Sequence, residues 1–471
     1  MRNDTIFALF RTFRQPYVYD RHTNALVVLS EDEFQELVKV KDGSIPADQS
    51  AVIKKYQEQG LFIPNVVEEI EHPSTFIIEQ FLNSRITQLT LQVCQNCNLR
   101  CSYCAYSGSY KGQRTHSNKR MSIATAKKAI DFLLERSSEL AEVTVGFYGG
   151  EPLLEFDLIK QCVEYAKQQV EGKTVRFTIT TNGTLLSGSI VDFLVDNDFS
   201  LNISLDGDKM EHDKSRKFVN GDGTFDIIIK NIADIRARYP EFDKKISILT
   251  TINPHADLGC VMEYFTTDEL FSDRSVIFNN LVERNYIGEL DYDDNYYSIR
   301  NYEYVKLLFS LAGKLDKKYV SPLVRGARGM IKQRQRGIAN PAELAARAHH
   351  SGPCLPGVKR PFVRVDGTIL PCERVDELSD YFAIGNLEDG FDLEKIKTIL
   401  NVGKLTECEC STCWGLRQCM FCAAQLEFET TPSEKDKSKY CPKNLSTVIQ
   451  GLHELCVLNE FGFASDEMEV Y

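Results

Sequence analysis

The stretch that decides the fold of this chain reads Cys97-Asn-Leu-Arg-Cys101-Ser-Tyr-Cys104, and it follows a short β-branched run at 86–93. Three thiols separated by three and two residues in one loop can surround a corner of an iron–sulfur cubane. A [4Fe–4S] cluster normally takes four thiolates, so this spacing leaves one iron open to a small molecule. Two alternatives compete with this interpretation: a structural zinc loop, and a complete cluster in which Cys94 is the fourth ligand.

On both sides of this loop, between about residues 85 and 280, β-branched runs alternate with helical patterns. The predicted strands are 86–93, 142–148, 174–180, 199–205, 245–252 and 275–280. Repeated βα units predict parallel strands that are joined by right-handed crossovers. The periodicity alone leaves open whether the six units form an open barrel or a doubly wound sheet.

Glycine-containing motifs follow the second, third and fourth predicted strands. They read Tyr148-Gly-Gly-Glu-Pro152, Thr180-Thr-Asn-Gly183 and Ser204-Leu-Asp-Gly207. Arg216 comes shortly afterwards, and a guanidinium can hold a carboxylate in bidentate fashion. Ligands of α/β folds bind at the carboxyl ends of parallel strands, so we expect these motifs to surround a ligand beside the cysteine loop.

The cysteine spacing, with the aromatic Tyr103 before its last cysteine, resembles the signature of the radical S-adenosylmethionine (radical SAM) enzymes. With the three motifs in order, the resemblance covers residues 85–280. It implies an α/β fold with a partial (β/α)6 barrel and a [4Fe–4S] cluster whose open iron chelates S-adenosyl-L-methionine. One electron would then release a 5′-deoxyadenosyl radical, which abstracts a substrate hydrogen atom. The implied cluster ligands are Cys97, Cys101 and Cys104, with Cys94 outside the set.

The resemblance also assigns residues to the cofactor. The backbone and side chain of the second motif would bind the methionine amino group, and the fourth strand and the arginine would bind its carboxylate. The aromatic residue of the cysteine motif would lie near the adenine. The implied cofactor-binding residues are Tyr103, Gly149, Gly150, Glu151, Asn182, Ser204 and Arg216.

The C-terminal part carries a second group of cysteines, eight of the 15 in the chain. Paired Cys-x2-Cys units also suit zinc. However, the order resembles the SPASM extension of peptide-modifying radical enzymes, although that family has three residues in the last internal gap where this chain has two. The resemblance implies two auxiliary [4Fe–4S] clusters, and therefore three clusters in all. The implied ligand sets are Cys410, Cys413, Cys419 and Cys441 for one cluster, and Cys354, Cys372 and Cys422 for the other.

The second of these sets has only three members. Relatives with full ligation carry another cysteine shortly before the first, where this chain reads His349-His350-Ser-Gly-Pro. The open iron would be free to take a substrate thiolate, unless Cys408 or one of the two histidines closes the site. Glu373 directly follows Cys372, where relatives that oxidise Cys or Ser carry an Asp base, so it is the candidate catalytic residue.

The N-terminal residues 1–84 are expected to form a unit of their own. Strands at 17–20 and 25–29 predict a hairpin, and Ser30 with Glu33 predicts a capping box that starts a helix. A second helix is predicted around 47–59, and a linker is predicted to start at 68–73. A hairpin followed by helices resembles the winged-helix element that binds leader peptides by strand addition. An oligomerisation or packing domain is the alternative.

These observations together predict five segments. They are a leader-recognition element at 1–84, a radical SAM barrel at 85–290, a helical bridge at 291–350, a SPASM domain at 351–450, and a C-terminal helix and tail at 451–471.

Composition restricts the possible partners. The 471 residues include 55 Lys and Arg against 67 Asp and Glu, a net charge of −12, so nucleic acid and anionic membranes are unexpected partners. No apolar run is long enough to span a membrane, and the N-terminus has no signal-peptide core. A cytoplasmic location is therefore expected.

The combination of recognition element, barrel and SPASM domain resembles the maturases of sactipeptides and ranthipeptides, which join cysteine sulfur to carbon. The predicted function is a radical SAM oxidoreductase that installs thioether cross-links in a ribosomally synthesised precursor peptide. Its implied partners are a precursor with a leader sequence and an electron donor such as flavodoxin or ferredoxin. The alternatives are an anaerobic sulfatase-maturing enzyme, which forms formylglycine, and a non-catalytic iron–sulfur electron carrier.

Overall fold

The computed structural model describes residues 5–292, 294–338 and 343–462. Its N-terminal part begins with a three-stranded antiparallel sheet. Its strands are β1 (Phe7–Arg11), β2 (Pro16–Asp20) and β3 (Leu26–Val28), in that spatial order. The predicted hairpin is β2–β3, and β1 is an additional strand that was not predicted. Helices α1 (Glu31–Lys41) and α2 (Ala51–Gln57) follow. The predicted capping box is confirmed, since the Ser30 amide donates to Glu33 Oε2 at 2.8 Å and the Glu33 amide donates to Ser30 Oγ at 3.3 Å.

Both faces of this small sheet are buried. Successive side chains of a strand point to opposite faces, and Val18 of β2 packs with Leu37 and Ile53 of the two helices. On the other face, Tyr17 and Tyr19 pack against the long C-terminal helix of the chain. The N-terminal unit is therefore held between its own helices and the C-terminal region.

The predicted linker at 68–73 is wrong. The structure has a strand there, β4 (Glu69–Ile70), which pairs in parallel with Arg347–Ala348. Ile70 is fully buried, and Arg347 Nε lies 2.7 Å from Glu69 Oε2. Acidic composition suggested solvent exposure, but the acidic side chains are held by basic partners from a distant segment.

The central sheet contains the six predicted parallel strands, and helix α3 (Ile78–Ser84) precedes them. The strands are β5 (Gln88–Cys94), β6 (Glu142–Gly149), β7 (Thr174–Thr181), β8 (Ser200–Ser204), β9 (Ser247–Ile252) and β10 (Ser275–Asn280). They are hydrogen-bonded in chain order without a reversal. A doubly wound sheet would reverse its order at a switch point, so the sequential order is that of a (β/α)6 barrel unit.

Helices connect these strands, and their apolar faces cover the sheet. They are α4 (Ile123–Glu135), α5 (Phe156–Gln169), α6 (Gly188–Asp196), α7 (Lys209–Ser215), α8 (Phe225–Arg238), α9 (Pro240–Asp243) and α10 (Leu258–Thr267). The segment predicted as a helical bridge contains α11 (Asp294–Leu311), α12 (Pro322–Arg325) and α13 (Ala327–Ile338), followed by β11 (Arg347–Ala348).

The cysteine-rich C-terminal part extends the same sheet. Strand β12 (Phe362–Val363) pairs in parallel with β5, and the antiparallel strands β13 (Thr368–Leu370), β14 (Gly385–Asn386) and β15 (Gly390–Phe391) continue from it. The remaining helices are α14 (Leu393–Leu400), α15 (Glu407–Thr412), α16 (Glu434–Ser438) and α17 (Cys441–Glu460). The predicted tail beyond residue 462 lies outside the described residues. No described helix is both long and apolar enough to cross a bilayer.

Strand β12 offers a test of this shared sheet. Phe362 is 1% exposed, and its ring lies 6.0 Å from that of Tyr148 on β6. Replacing a buried Phe by Ala costs about 3–5 kcal/mol, so we expect Phe362→Ala to lower the free energy of unfolding by that amount in urea titration. Phe76→Ala is the control, because Phe76 is 65% exposed, and it should cost about 1 kcal/mol or less. Equal losses in the two variants would contradict a structural role for β12.

Candidate active site

The loop of Cys97, Cys101 and Cys104 leaves the carboxyl end of β5. Burial, the Glu151 carboxylate and the two neighbouring thiols raise the pKa of Cys97 to about 12. Burial also raises the pKa of Cys101 to about 11, although Arg216 opposes the rise. The three thiols thus lie within electrostatic reach of one another in a poorly solvated place. A bound cation deprotonates such thiols, so the donor chemistry fits an iron–sulfur group.

Two glycines at the end of β6 hold this loop in place. The Gly150 amide donates to Cys94 O at 3.0 Å, and the Glu151 amide donates to Asn96 O at 2.9 Å. A Cβ atom would lie 2.3 Å from Cys94 O at Gly149 and 2.0 Å from Asn96 O at Gly150. The close approach that these glycines allow is therefore to the backbone of the cysteine loop, and their role toward a cofactor stays a prediction.

Glu151 connects the ends of β6 and β7. Its carboxylate accepts from the Asn182 amide at 2.7 Å, from Thr181 Oγ1 at 2.7 Å and from the Leu153 amide at 3.1 Å. Burial raises the pKa of Glu151 to about 7, and the three hydrogen bonds oppose this rise. With three contacts made, the carboxylate has acceptor capacity left for one more donor.

Asn182 reaches from β7 to the cysteine loop. Its Nδ2 donates to Asn98 Oδ1 at 2.8 Å and lies 3.8 Å from Cys97 Sγ. Its Oδ1 accepts from the amide and the hydroxyl of Thr184 at 3.0 and 2.7 Å. The predicted residue thus belongs to a polar network that orients the loop around the first thiol.

Asp206 is a site residue that the sequence analysis did not single out. Its Oδ2 accepts from Arg216 Nε at 2.9 Å and from the Tyr103 hydroxyl, and its Oδ1 accepts from the Thr251 amide at 3.1 Å. Arg216 Nη1 lies 4.0 Å from Cys101 Sγ. Two predicted residues, Tyr103 and Arg216, are therefore oriented by one buried carboxylate. The available signal was its position two residues after the end of β8, where Ser204 is the last strand residue.

Cys94 is held by protein rather than directed at the other thiols. Its Sγ donates to Glu151 O at 3.2 Å and lies 3.5 Å from Asn96 O. Burial raises its pKa to about 11. Its place outside the ligand set stays a prediction.

The structure brings together the predicted four-cysteine set of the C-terminal part. Cys410, Cys413, Cys419 and Cys441 line one cavity. Non-thiol residues also line it, among them His350, Leu416, Phe421 and Lys437. The ring nitrogens of His350 are buried and have no hydrogen-bond partner among the described residues. An orphaned buried donor beside four thiols fits a sulfur-rich group in the cavity.

The three-cysteine set also converges. Burial, Glu373 and the Cys422 and Cys354 thiols raise the pKa of Cys372 to about 12. Burial and the Cys354 thiol raise the pKa of Cys422 as well. Cys354 itself is exposed, so this set opens toward solvent on one side.

The two histidines that could close the three-cysteine set have other surroundings in the structure. His350 lines the cavity of the four-cysteine set instead. The ring nitrogens of His349 are already used, since Nε2 accepts from the Gly403 amide at 2.9 Å and Nδ1 lies 2.8 Å from His350 O. Cys408 is exposed on α15. Among residues 5–292, 294–338 and 343–462, no three His, Cys, Asp or Glu side chains are grouped as ligands of one metal ion.

Residues 91–257 match the family model of the Radical SAM superfamily, and the match includes the cysteine loop and all three strand-end motifs. The chain carries a radical SAM domain. Enzymes of this family bind S-adenosylmethionine and a [4Fe–4S] cluster. The predicted α/β fold class is confirmed at this level.

Named relatives are found among sulfatase-maturating enzymes. The cysteine-type anaerobic sulfatase-maturating enzyme of Clostridium novyi is 31% identical over 36% of this chain and 44% of its own length. That of Clostridium perfringens is 22% identical over 73% of this chain and 90% of its own length. The matched region spans less than half of the Clostridium novyi relative and of an uncharacterised Methanocaldococcus jannaschii relative, of which it covers 43%. The solved structure of anSMEcpe with bound AdoMet has a TM-score of 0.59 and 21% identity, covering 79% of this chain and 99% of that one. This likeness shows a shared fold.

Glu373, the predicted catalytic residue, lies beside the three-cysteine set. Its Oε1 pairs with Arg360 Nη2 at 2.8 Å. Its Oε2 is buried and has no hydrogen-bond partner among the described residues. An unpaired buried carboxylate oxygen is costly, so this atom is available to a ligand that brings a donor.

Two buried ion pairs connect the segment after Cys372 to the radical SAM domain, and sequence reasoning missed both. Arg114 Nε lies 3.1 Å from Glu377 Oε2, and Arg284 Nη2 lies 3.0 Å from Asp376 Oδ1. All four side chains are less than 9% exposed. The segment after Cys372 is therefore fixed to two loops, one that follows Cys104 and one that follows β10.

Gly150 gives a direct test of the loop geometry. We expect Gly150→Ala to destabilise the protein by about 1–3 kcal/mol, because the new methyl group overlaps the Asn96 carbonyl and forces a backbone shift. Gly326→Ala is the matched control, since a Cβ atom at Gly326 meets nothing within 4 Å; its stability should be unchanged or slightly higher. Urea unfolding of both variants, with iron content after reconstitution, measures the effect. Wild-type stability and iron content in Gly150→Ala would contradict the proposed packing.

Proposed function

We propose that this chain is a radical SAM peptide maturase that installs thioether bonds, from cysteine sulfur to carbon, in a ribosomally synthesised precursor peptide. The observation that carries the proposal is the three-cysteine set, which opens to solvent at Cys354, beside a carboxylate with one oxygen that has no partner among the described residues. A peptide thiol that enters this site would lie beside the three cysteines, and Glu373 Oε2 would accept its proton. An iron–sulfur electron carrier needs neither feature.

The radical SAM domain supplies the residues for the cofactor. Cys97, Cys101 and Cys104 would hold the [4Fe–4S] cluster, which with S-adenosylmethionine supplies a 5′-deoxyadenosyl radical. Arg216, oriented by Asp206, is suited to the carboxylate of the cofactor. Glu151 has capacity for its amino group, in line with the role that the family resemblance implies. An electron donor such as flavodoxin or ferredoxin would provide the reducing electron.

The auxiliary region would prepare the sulfur. Cys354, Cys372 and Cys422 would hold one auxiliary cluster, and the set leaves a position for a substrate thiolate. Glu373 Oε2 would take the thiol proton while Arg360 holds Oε1. Because Cys354 is exposed, a peptide can reach this position from solvent. Cys410, Cys413, Cys419 and Cys441 would hold the other auxiliary cluster.

The N-terminal sheet supports a peptide substrate with a leader. Hydrogen bonds from the Asp20 amide to Ala25 O and from the Leu29 amide to Pro16 O set the β2–β3 ladder. Antiparallel pairs alternate between bonded and non-bonded, so the amides of Leu26 and Val28 point to the outer edge of β3. Among the described residues, β3 pairs only with β2. This edge is suited to an added strand.

Formation of formylglycine is the second candidate. It is favoured by the names of the Clostridium relatives and by the position of Glu373 after Cys372. The products separate the two reactions of a peptide cysteine, because a thioether keeps the sulfur and loses two hydrogens, whereas formylglycine made from cysteine loses the sulfur.

The central test combines product and cofactor cleavage. With dithionite, S-adenosylmethionine and a Cys-rich precursor peptide, we expect 5′-deoxyadenosine and a peptide that has lost two hydrogens per cross-link, measured by mass spectrometry. The variant C97A/C101A/C104A should keep auxiliary iron but lose all 5′-deoxyadenosine. Peptide that has lost sulfur would favour the second candidate, and cofactor cleavage by the triple variant would refute the ligand assignment.

The leader-binding edge is tested by Val28→Pro. Proline removes one outward amide and leaves the inward ladder intact, so we expect the Kd for the full precursor to rise about tenfold while cofactor cleavage without peptide is unchanged. Val28→Ala keeps the amide and serves as control. Fluorescence anisotropy with labelled precursor measures both. A Kd that is equal in wild type and Val28→Pro would argue against leader binding at this edge.

A further inference from the structure

The cavity of the four-cysteine set contains a buried ammonium group. Lys437 is 2% exposed, and its Nζ lies 3.2 Å from Cys410 Sγ. The same Nζ donates to Thr406 Oγ1 at 2.5 Å. Lysine is almost never fully buried without a charged partner, so this placement requires a physical reason.

No carboxylate supplies that partner. Among the described residues, none lies within ion-pair distance of Lys437, whereas the exposed Lys439 nearby pairs with Glu427 Oε2 at 2.9 Å. A buried cation without a counter-charge is strongly unfavourable. A [4Fe–4S] group bound by four thiolates is anionic, and it becomes more negative on reduction. Such a group in the cavity would provide the missing negative charge.

His350 adds a second donor to the same cavity. It is 1% exposed, and a histidine ring carries at least one N–H in either of its protonation states. Neither ring nitrogen has a partner among the described residues. A sulfur atom in the cavity is a suitable acceptor for this N–H.

Arg21 is a second cation near this cavity, and backbone carbonyls bind its guanidinium. It donates from Nη1 to Ser411 O at 2.8 Å and to Cys413 O at 3.4 Å. Burial lowers its pKa, while Cys413, Tyr19 and the buried Asp20 carboxylate raise it. Lys437 differs from Arg21 in lying directly beside a thiol of the set, since its Nζ is 3.2 Å from Cys410 Sγ.

We propose that Lys437 and His350 raise the reduction potential of the auxiliary cluster held by Cys410, Cys413, Cys419 and Cys441, and so make it an electron acceptor. This inference rests on the proposed function for its ligand set. Net charge and hydrogen bonds to sulfur set the potentials of iron–sulfur clusters. A positive charge and two N–H donors stabilise the reduced form more than the oxidised form.

The proposed reaction releases one electron, and therefore requires an electron acceptor. A carbon loses a hydrogen atom to the deoxyadenosyl radical, and the thiol loses a proton to Glu373. When the carbon–sulfur bond forms, one electron remains. Lys437 and His350 favour its acceptance in this cavity, and an oxidised flavodoxin or ferredoxin removes it afterwards.

The test is an anaerobic redox titration of the reconstituted full chain, followed by electron paramagnetic resonance. The signal that disappears in C410A/C413A identifies the cluster. We expect Lys437→Met to shift its midpoint potential to more negative values, His350→Phe to shift it less in the same direction, and Lys437→Arg to stay near wild type. Lys435→Met is the matched control, because Lys435 is exposed on the same helix α16, and its midpoint should be unchanged.

An unchanged midpoint in Lys437→Met would overturn the proposal. If that variant does not bind iron, Lys437→Gln and His350→Phe decide instead, and wild-type midpoints in both would overturn it. Iron analysis of the wild type separates an unchanged midpoint from a wrong ligand assignment. If the ligand assignment is wrong, the wild type shows no [4Fe–4S] signal that depends on Cys410 and Cys413, and both the ligand set and the effect of Lys437 and His350 are refuted.

Discussion

The contact between the backbone of the cysteine loop and the end of β6 is the constraint on which the rest of the site depends. Two amides of the β6 end donate to carbonyls at the start of the loop, and only glycine fits at Gly149 and Gly150. The Glu151 carboxylate accepts a hydrogen bond from the Asn182 amide at the end of β7, and the Asn182 side chain lies beside Cys97 in the loop. The three thiols are therefore positioned by strand ends, which are rigid, rather than by the loop alone. Placing a reactive group on rigid elements in this way is what precise radical chemistry requires.

The same constraint extends to the auxiliary region. Because β12 pairs with β5, the C-terminal strands belong to the sheet that bears the cysteine loop. The buried pairs Arg114–Glu377 and Arg284–Asp376 fix the segment after Cys372 to the radical SAM domain. Breaking one partner of a buried pair leaves an uncompensated charge, so relative movement of the two regions is opposed. A peptide carbon near the first cysteine set and a peptide sulfur near the second would be held at a fixed separation.

Much of this architecture was predictable, because the barrel strands are continuous β-branched runs and the cysteine spacings are local in sequence. The errors came from contacts between distant segments. Strand β1 was missed because the sequence Phe7–Arg11 does not by itself predict a strand, and its structure depends on pairing with β2. The acidic segment around Glu69 was taken for a linker because its partner Arg347 lies far along the chain. Lys437 has no local signal either, since an ammonium group acquires its role only from what the fold places beside it. Asp206 lies in a strand-end motif, but only the fold shows that it contacts Tyr103 and Arg216. His350 was one of the alternatives for closing the three-cysteine set, and in the fold it lines the cavity of the four-cysteine set.

The proposed function requires that a peptide thiol enters the three-cysteine set beside Glu373. Electron paramagnetic resonance of the reduced auxiliary clusters, recorded with and without precursor peptide, tests this claim most directly. The account predicts that the spectrum changes when the precursor is added, and that it does not change when the acceptor cysteines of the precursor are replaced by serine. An identical spectrum with and without the cysteine peptide, or an equal change with the serine peptide, would contradict it.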